Sequence, residues 1–126
     1  PGRVLQVDQA KTLYEQPNHQ AVARMTGEAL LVPARATDHR ARSALGDHEV
    51  LADIEGSVTL VIRPEHMDLI PDESGPLIVE HSYFDAQQWK HRLRYDGQTV
   101  TVAQNERVNV KRLSLTTQAP LWAIAR

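Results

Sequence analysis

Gln87-Gln88-Trp89-Lys90-His91-Arg92-Leu93-Arg94-Tyr95-Asp96-Gly97-Gln98-Thr99-Val100-Thr101-Val102 decides the fold class. Trp89, His91, Leu93 and Tyr95 fall on one side of an extended chain, and Lys90, Arg92 and Arg94 on the other. Period-two alternation of this kind marks a strand with one buried and one solvated face. Asp96-Gly97 is a strong two-residue hairpin turn, because both central residues of a type I′ turn need positive φ. Val100 and Val102 then share a face of the returning strand.

Working outward, Leu77–Phe84 reads as the preceding strand, after a polar loop at Asp72-Glu73-Ser74-Gly75-Pro76. In Ser57–Arg63, Val58, Leu60 and Ile62 point one way and Thr59 and Val61 the other, until Pro64 stops the strand. Ala29–Ala36 is apolar and strand-like, with Pro33 suggesting a sheet edge. Ser43–Asp47 carries a turn signal. Beyond the hairpin, Asn105-Glu106-Arg107 turns, and Val108–Leu115 and Pro120–Ala125 read as the last strands.

The N-terminal quarter differs. Gly2–Val7 reads as a short strand and Gln9–Glu15 as one or two helical turns, ended by Gln16-Pro17. Asn18 is a candidate N-cap for a helix over His19–Met25, whose Val22 and Met25 share a face. Gly27 closes it. Eight or nine short strands with turns every 8–12 residues, after two small helices and without βαβ alternation, predict an all-β barrel or sandwich.

The chain has 126 residues, 41% of them hydrophobic, 24% charged and 5% aromatic. That suits one domain with an aliphatic core. Without cysteine it has no disulfide, thiolate metal site or cysteine nucleophile, in keeping with a reducing compartment. No apolar run reaches the roughly 18–20 residues of a membrane span, and no signal-peptide core opens the chain. Lacking an initiator methionine and starting directly on a strand-like segment, it reads as an excised domain.

Residues 1–80 hold 7 Lys/Arg against 13 Asp/Glu, and residues 81–126 hold 7 against 3. The halves neutralise each other in a compact domain, or the second presents a basic face.

Catalytic signatures are missing. None of the six glycines is followed by lysine, so there is no Gly-x-x-x-x-Gly-Lys-Ser/Thr phosphate loop. There is no dinucleotide fingerprint, Gly-x-Ser-x-Gly elbow or His-Glu-x-x-His helix. His19, His39, His48, His66, His81 and His91 never stand at i,i+2 or i,i+4, so no single element converges metal ligands. Asp72/Glu73 lies in a loop with no sign of a dry pocket. The stripe Lys90/Arg92/Arg94 beside Trp89 and Tyr95 raises single-stranded nucleic acid. Alternation turns the aromatics away from the cations, which favours a solvated face or a protein contact. No nucleic-acid partner is expected.

Three blocks carry a family resemblance. Gly2-Arg3-Val4-Leu5-Gln6-Val7 precedes Leu13-Tyr14-Glu15-Gln16-Pro17 at a characteristic spacing. Val22-Ala23-Arg24-Met25-Thr26-Gly27-Glu28 follows, and then Ile62-Arg63-Pro64-Glu65-His66. Together they resemble the region that follows the nucleotide-binding domain in ABC importer ATP-binding subunits of the ferric-iron, spermidine and maltose group. Gly27–Arg35, Ala44-Leu45-Gly46 and Ile62–Glu65 look most similar to the ferric-iron type. Asp8-Gln9-Ala10 departs from the family's Gly-Thr-Pro, Met25-Thr26 departs from its Phe-Ile or Phe-Leu, and its Tyr-x-Gly is not clear here.

The resemblance implies a transport-associated, OB-like β-barrel over residues 28–126, with residues 1–27 as the junction to an absent nucleotide-binding domain. It implies a non-catalytic regulatory and dimerisation domain, with ATP and magnesium confined to that absent domain and no cofactor in this segment. The implied partners are the nucleotide-binding domain, a second ATPase subunit and membrane permease subunits. The implied location is cytoplasmic, peripheral to the inner membrane. A barrel sensing an oxyanion or metal is the alternative, although the Ser-Ala-Arg-Asn run of molybdate-type domains is absent.

Gln6, Leu13, Tyr14, Pro17, Gly27, Arg63, Pro64 and Glu65 are the motif residues. Leu13, Tyr14 and Pro17 are expected to pack the linker on the barrel, with Arg63 and Glu65 organising the fold or an interface. Lys90, Arg92, Arg94 and Trp122 are candidates for a protein contact.

Overall fold

The computed structural model describes residues 7–126; the expected strand at residues 2–7 lies outside them, save that Val7 opens a helix. Two short helices, α1 (Val7–Glu15) and α2 (Gln20–Thr26), precede ten strands. These are β1 (Leu30–Thr37), β2 (Arg40–Ser43), β3 (Gly46–Glu49), β4 (Gly56–Ile62), β5 (Met67–Pro71), β6 (Leu77–Asp85), β7 (Gln88–Tyr95), β8 (Gln98–Gln104), β9 (Arg112–Thr117) and β10 (Trp122–Ala125). One five-stranded sheet has the order β10-β4-β1-β2-β3, and a second has β5-β9-β6-β7-β8. Every pairing within the sheets is antiparallel. The expected all-β class with two leading helices is observed, consistent with an OB-like fold. Among the described residues no helix is long and apolar enough to cross a membrane.

The inner faces of both sheets form one core: Leu30, Val32, Val58, Leu60 and Ile62 from the first, and Leu77, Leu93, Val100, Val102, Leu113 and Leu115 from the second. On β7, His91 and Leu93 are fully buried, whereas Trp89 and Tyr95 are only half-buried. His91 Nδ1 lies 2.7 Å from Ser82 Oγ and Nε2 3.3 Å from the Glu106 carbonyl. A carbonyl only accepts, so Nε2 carries the proton and Nδ1 accepts from the serine. Gln98 joins the sheets like a short piece of ladder. Its Oε1 accepts from Leu31 N–H at 2.8 Å and its Nε2 donates to Leu31 O at 2.9 Å.

The outer face of β4 is covered as well. Ala23, Ala29, Leu31 and Val61 form a second cluster with Trp122 and Ile124 against it. Because α2 lies on that face, both faces of β4 are buried.

Four expectations need correction. Pro33 lies on a strand at the centre of its sheet. It pairs with Thr59 of β4, and β2 ends opposite Ala34, so no strand on that side requires the missing N–H. The N-cap of α2 is His19, whose Nδ1 accepts from Ala21 N–H at 3.3 Å; Asn18 lies one residue outside. The apolar contact of α2 is Ala23, with Met25 83% exposed. The strand expected at Val108 starts at Arg112, and β2, β3 and β5 are additional.

Candidate functional site

Pro64 locally shapes the Arg63-Pro64-Glu65 segment. It ends β4 and opens a single 3-10 turn over Pro64–His66, with its fixed φ at the first helical position. Arg63 is left pointing back beneath the two helices, only 1% exposed.

Its guanidinium collects the carbonyls that helices leave unpaired at their C-terminal ends. Nε and Nη2 donate to Tyr14 O near the end of α1, at 3.2 and 2.7 Å. Nη1 donates to Ala23 O in α2 at 3.0 Å, and to Gly27 O and Glu28 O just beyond it at 3.1 and 3.2 Å. Nη2 also donates to Thr26 Oγ1 at 3.0 Å. The cation therefore faces the negative ends of two helix dipoles. No carboxylate among the described residues pairs with it directly, so these acceptors offset the cost of burying it. Arginine suits the place because its flat fork serves several acceptors and is weakly hydrated.

Tyr14 closes the arrangement from above. Its ring lies 4.0 Å from the Arg63 guanidinium carbon, a cation–π contact. Its hydroxyl donates to Glu65 at 2.6 and 2.9 Å from the two carboxylate oxygens. Gly27 makes room for the ring: a Cβ there would stand 2.8 Å from Tyr14 Cε1. Trp122 adds a second anchor, donating from Nε1 to Pro17 O at 2.7 Å.

Burial and the bond to Glu65 push the Tyr14 phenol up to about 12 from 10.0, with the Glu65 charge adding to the rise and Arg63 opposing it. Burial also pulls Arg63 down from its ordinary value, and Tyr14 and Glu65 oppose that. For Tyr14 the folded-state value exceeds the unfolded one. The neutral phenol therefore stabilises the fold fully below pH 10, and this contribution is lost as pH rises through 12. Tyr14→Phe is expected to flatten the part of the stability–pH curve between about pH 10 and 12 that the phenol controls. Urea titrations of both proteins across that range test it; parallel curves reject the coupling.

Tyr14, Gly27, Arg63 and Glu65 thus meet at one point, although they come from three distant blocks of sequence. Pro64 shapes the turn between two of them. Pro17 is buried at the Trp122 anchor and Leu13 is half-buried, whereas Gln6 lies outside the described residues. Lys90 pairs with Asp85 at 3.0 Å, and Arg92 and Arg94 share Glu80 at 3.9 and 3.7 Å. Thr26 and Gln98 escaped the sequence reading. A hydroxyl near a helix end and a glutamine after a turn are common, and neither carries a signal until its partner is placed.

Among the described residues no three His, Asp or Glu side chains converge as metal ligands. Fold and site together define a two-sheet β module that holds a preceding helical pair through a buried arginine.

The chain is similar to ATP-binding proteins of ferric-iron import. It is 31% identical over 122 residues to Fe(3+) ions import ATP-binding protein FbpC 1 of Rhodococcus jostii (strain RHA1), covering 94% of this chain and 34% of that protein. FbpC 2 of the same strain is 30% identical over the same spans. FbpC of Haemophilus influenzae (strain 86-028NP) is 28% identical over 97 residues, which is 73% of this chain and 27% of the relative. The chain therefore spans about a third of the length of the Rhodococcus relatives. No family model matches it.

Proposed function

We propose that this chain is the non-catalytic β-domain of an ABC importer's ATP-binding subunit, of the ferric-iron type, and that it joins two such subunits. The carrying observation is that 94% of the chain aligns with only 34% of a ferric-iron import ATP-binding protein. The phosphate loop needed for hydrolysis is absent from these 126 residues. In this reading residues 1–27 are the junction and residues 28–126 the regulatory barrel, with Arg63 tying the one to the other.

In this reading a nucleotide-binding domain attached before α1 moves with the barrel, because four carbonyls bonded to one guanidinium hold α1 and α2 to it. Two barrels that stay paired keep their ATPase domains at high effective concentration when ATP is absent, so closure stays intramolecular. ATP and magnesium act in the absent domain, permease subunits engage the parent protein, and the assembly works at the cytoplasmic face of the membrane.

The isolated chain is expected to hydrolyse no ATP and to sediment as a dimer at high micromolar concentration. Measurable turnover contradicts the non-catalytic assignment, and a strict monomer contradicts the joining role.

A further inference from the structure

β3 is the free edge of the first sheet, and His48 is the one side chain of that strand that is buried. The ring is 4% exposed and stands opposite Ala41 of β2. Its Nδ1 has no hydrogen-bond partner among the described residues. His91, by contrast, is buried with partners for both ring nitrogens. A buried nitrogen left unpaired costs stability, and placing a charge on it costs more.

His48 borders a cleft of about 450 Å³ between β3 and the end of β9. β9 and the turn beyond it bring Leu115, Thr116, Thr117, Gln118 and Ala119 to this cleft, none of which offers charge to an imidazolium. The charges at the cleft belong to the hairpin itself. Asp47 is held by Arg42 at 3.3 Å, and Glu49 stands opposite Arg40 in the ladder. None of the ion pairs among the described residues involves His48. Burial pulls the imidazole below its ordinary 6.5; Asp47 opposes this and Arg40 adds to it. The stability given by the neutral ring is therefore fully present above pH 6.5. It is lost as pH falls from there toward the lower folded-state value, because the unfolded chain takes up the proton first.

The hairpin is also lightly held. Its grip on the core is Ala41, Leu45 and His48, whereas β4 alone buries five side chains. The Asp38-His39 turn that carries it lies in left-handed backbone without glycine, φ 53° and 61°, so opening relieves strain there. Its far end is pinned: Leu121 N–H donates to Glu49 O and Leu51 N–H to Leu121 O, at 2.8 and 2.9 Å.

We propose that the β2–β3 hairpin is an acid-released flap: a proton on His48 detaches residues 40–48 from the core, between the Asp38-His39 turn and the Leu121 contact, while the rest of the fold stays closed. Local opening of this kind falls on the least stable part of a structure. It uncovers Leu45 and the Ala34–Thr37 edge of β1.

Hydrogen exchange of the whole chain from about pH 7.5 to about pH 5, read as protection factors, tests it. Protection of residues 40–49 is expected to fall at least tenfold over that range, with residues 88–104 of β7 and β8 unchanged. The midpoint of the loss is expected to coincide with that of the His48 ring resonance followed by NMR. His48→Leu and His48→Gln cannot take the proton, and in them protection of residues 40–49 is expected to stay within about twofold. Protection that does not change with pH overturns the flap, as does an equal loss in β7 and β8, which is acid unfolding of the whole domain. A His48 midpoint that differs from that of the loss, or a loss that persists in either folded variant, assigns the opening to another group and overturns it too.

Discussion

Arg63→Ala is expected to lower the unfolding free energy by about 3–5 kcal/mol, because each buried acceptor left unsatisfied costs on the order of 1–3 kcal/mol and several are left together. Four carbonyls and the Thr26 hydroxyl lose their donor at once. Water cannot readily replace it, because the guanidinium site is only 1% exposed. Arg63→Lys keeps the charge but lacks the fork, and about half the loss is expected to remain. The damage should fall first on the helices. Protease cleavage between residues 16 and 27 should accelerate, and Trp122 fluorescence should shift as its bond to Pro17 opens. Urea titration measures the total. A loss below about 1 kcal/mol would mean that the arginine only fills space.

The second large effect concerns Gly75. It is buried in the loop before β6, and that loop is tied to β9. Asp72 N–H donates to Arg112 O at 3.2 Å, Gly75 N–H donates to Asp72 O at 2.9 Å, and Arg112 Nη1 donates to Gly75 O at 3.1 Å. A Cβ on Gly75 would overlap the Leu113 carbonyl and stand 2.8 Å from Ser114 N. The obstacle is strand backbone, which cannot rotate aside as a side chain would. Gly75→Ala is therefore expected to cost about 3 kcal/mol, at the upper end for overpacking. In a chain of this size that corresponds to a melting temperature lower by about 10 °C. A shift of less than about 2 °C would show that β6 and β9 separate more easily than their hydrogen bonds suggest.

The strands differ in how well the sequence announced them. β7 and β8 were legible because each buries alternate side chains and Asp96-Gly97 joins them in left-handed backbone, φ 49° and 74°. The turns Asp38-His39 and Ala86-Gln87 adopt similar backbone, at 53° and 61° and at 50° and 65°, without glycine. At the first of these turns Glu55 accepts from Asp38 N–H at 3.3 Å and His39 O accepts from Val50 N–H at 2.8 Å, contacts that composition did not mark. β3 buries only His48 and β2 only Ala41, so neither shows alternation. Val108 and Val110 imitate a strand. Their segment instead crosses the sheet margin, where Val79 N–H donates to Lys111 O at 2.9 Å.

By itself the sequence determined the all-β class, the hairpin register around Asp96-Gly97 and the absence of a phosphate loop. Those properties follow from local periodicity, turn stereochemistry and a contiguous motif. It also marked Tyr14, Gly27, Arg63 and Glu65, without a reason for them to belong together. Only the tertiary structure decided that Arg63 is buried and that its charge is met by carbonyls 35 to 49 residues away. Burial of a cation depends on which unpaired helix ends come within 3 Å of it. That distance exists only after α2 has packed on the outer face of β4 and α1 against α2.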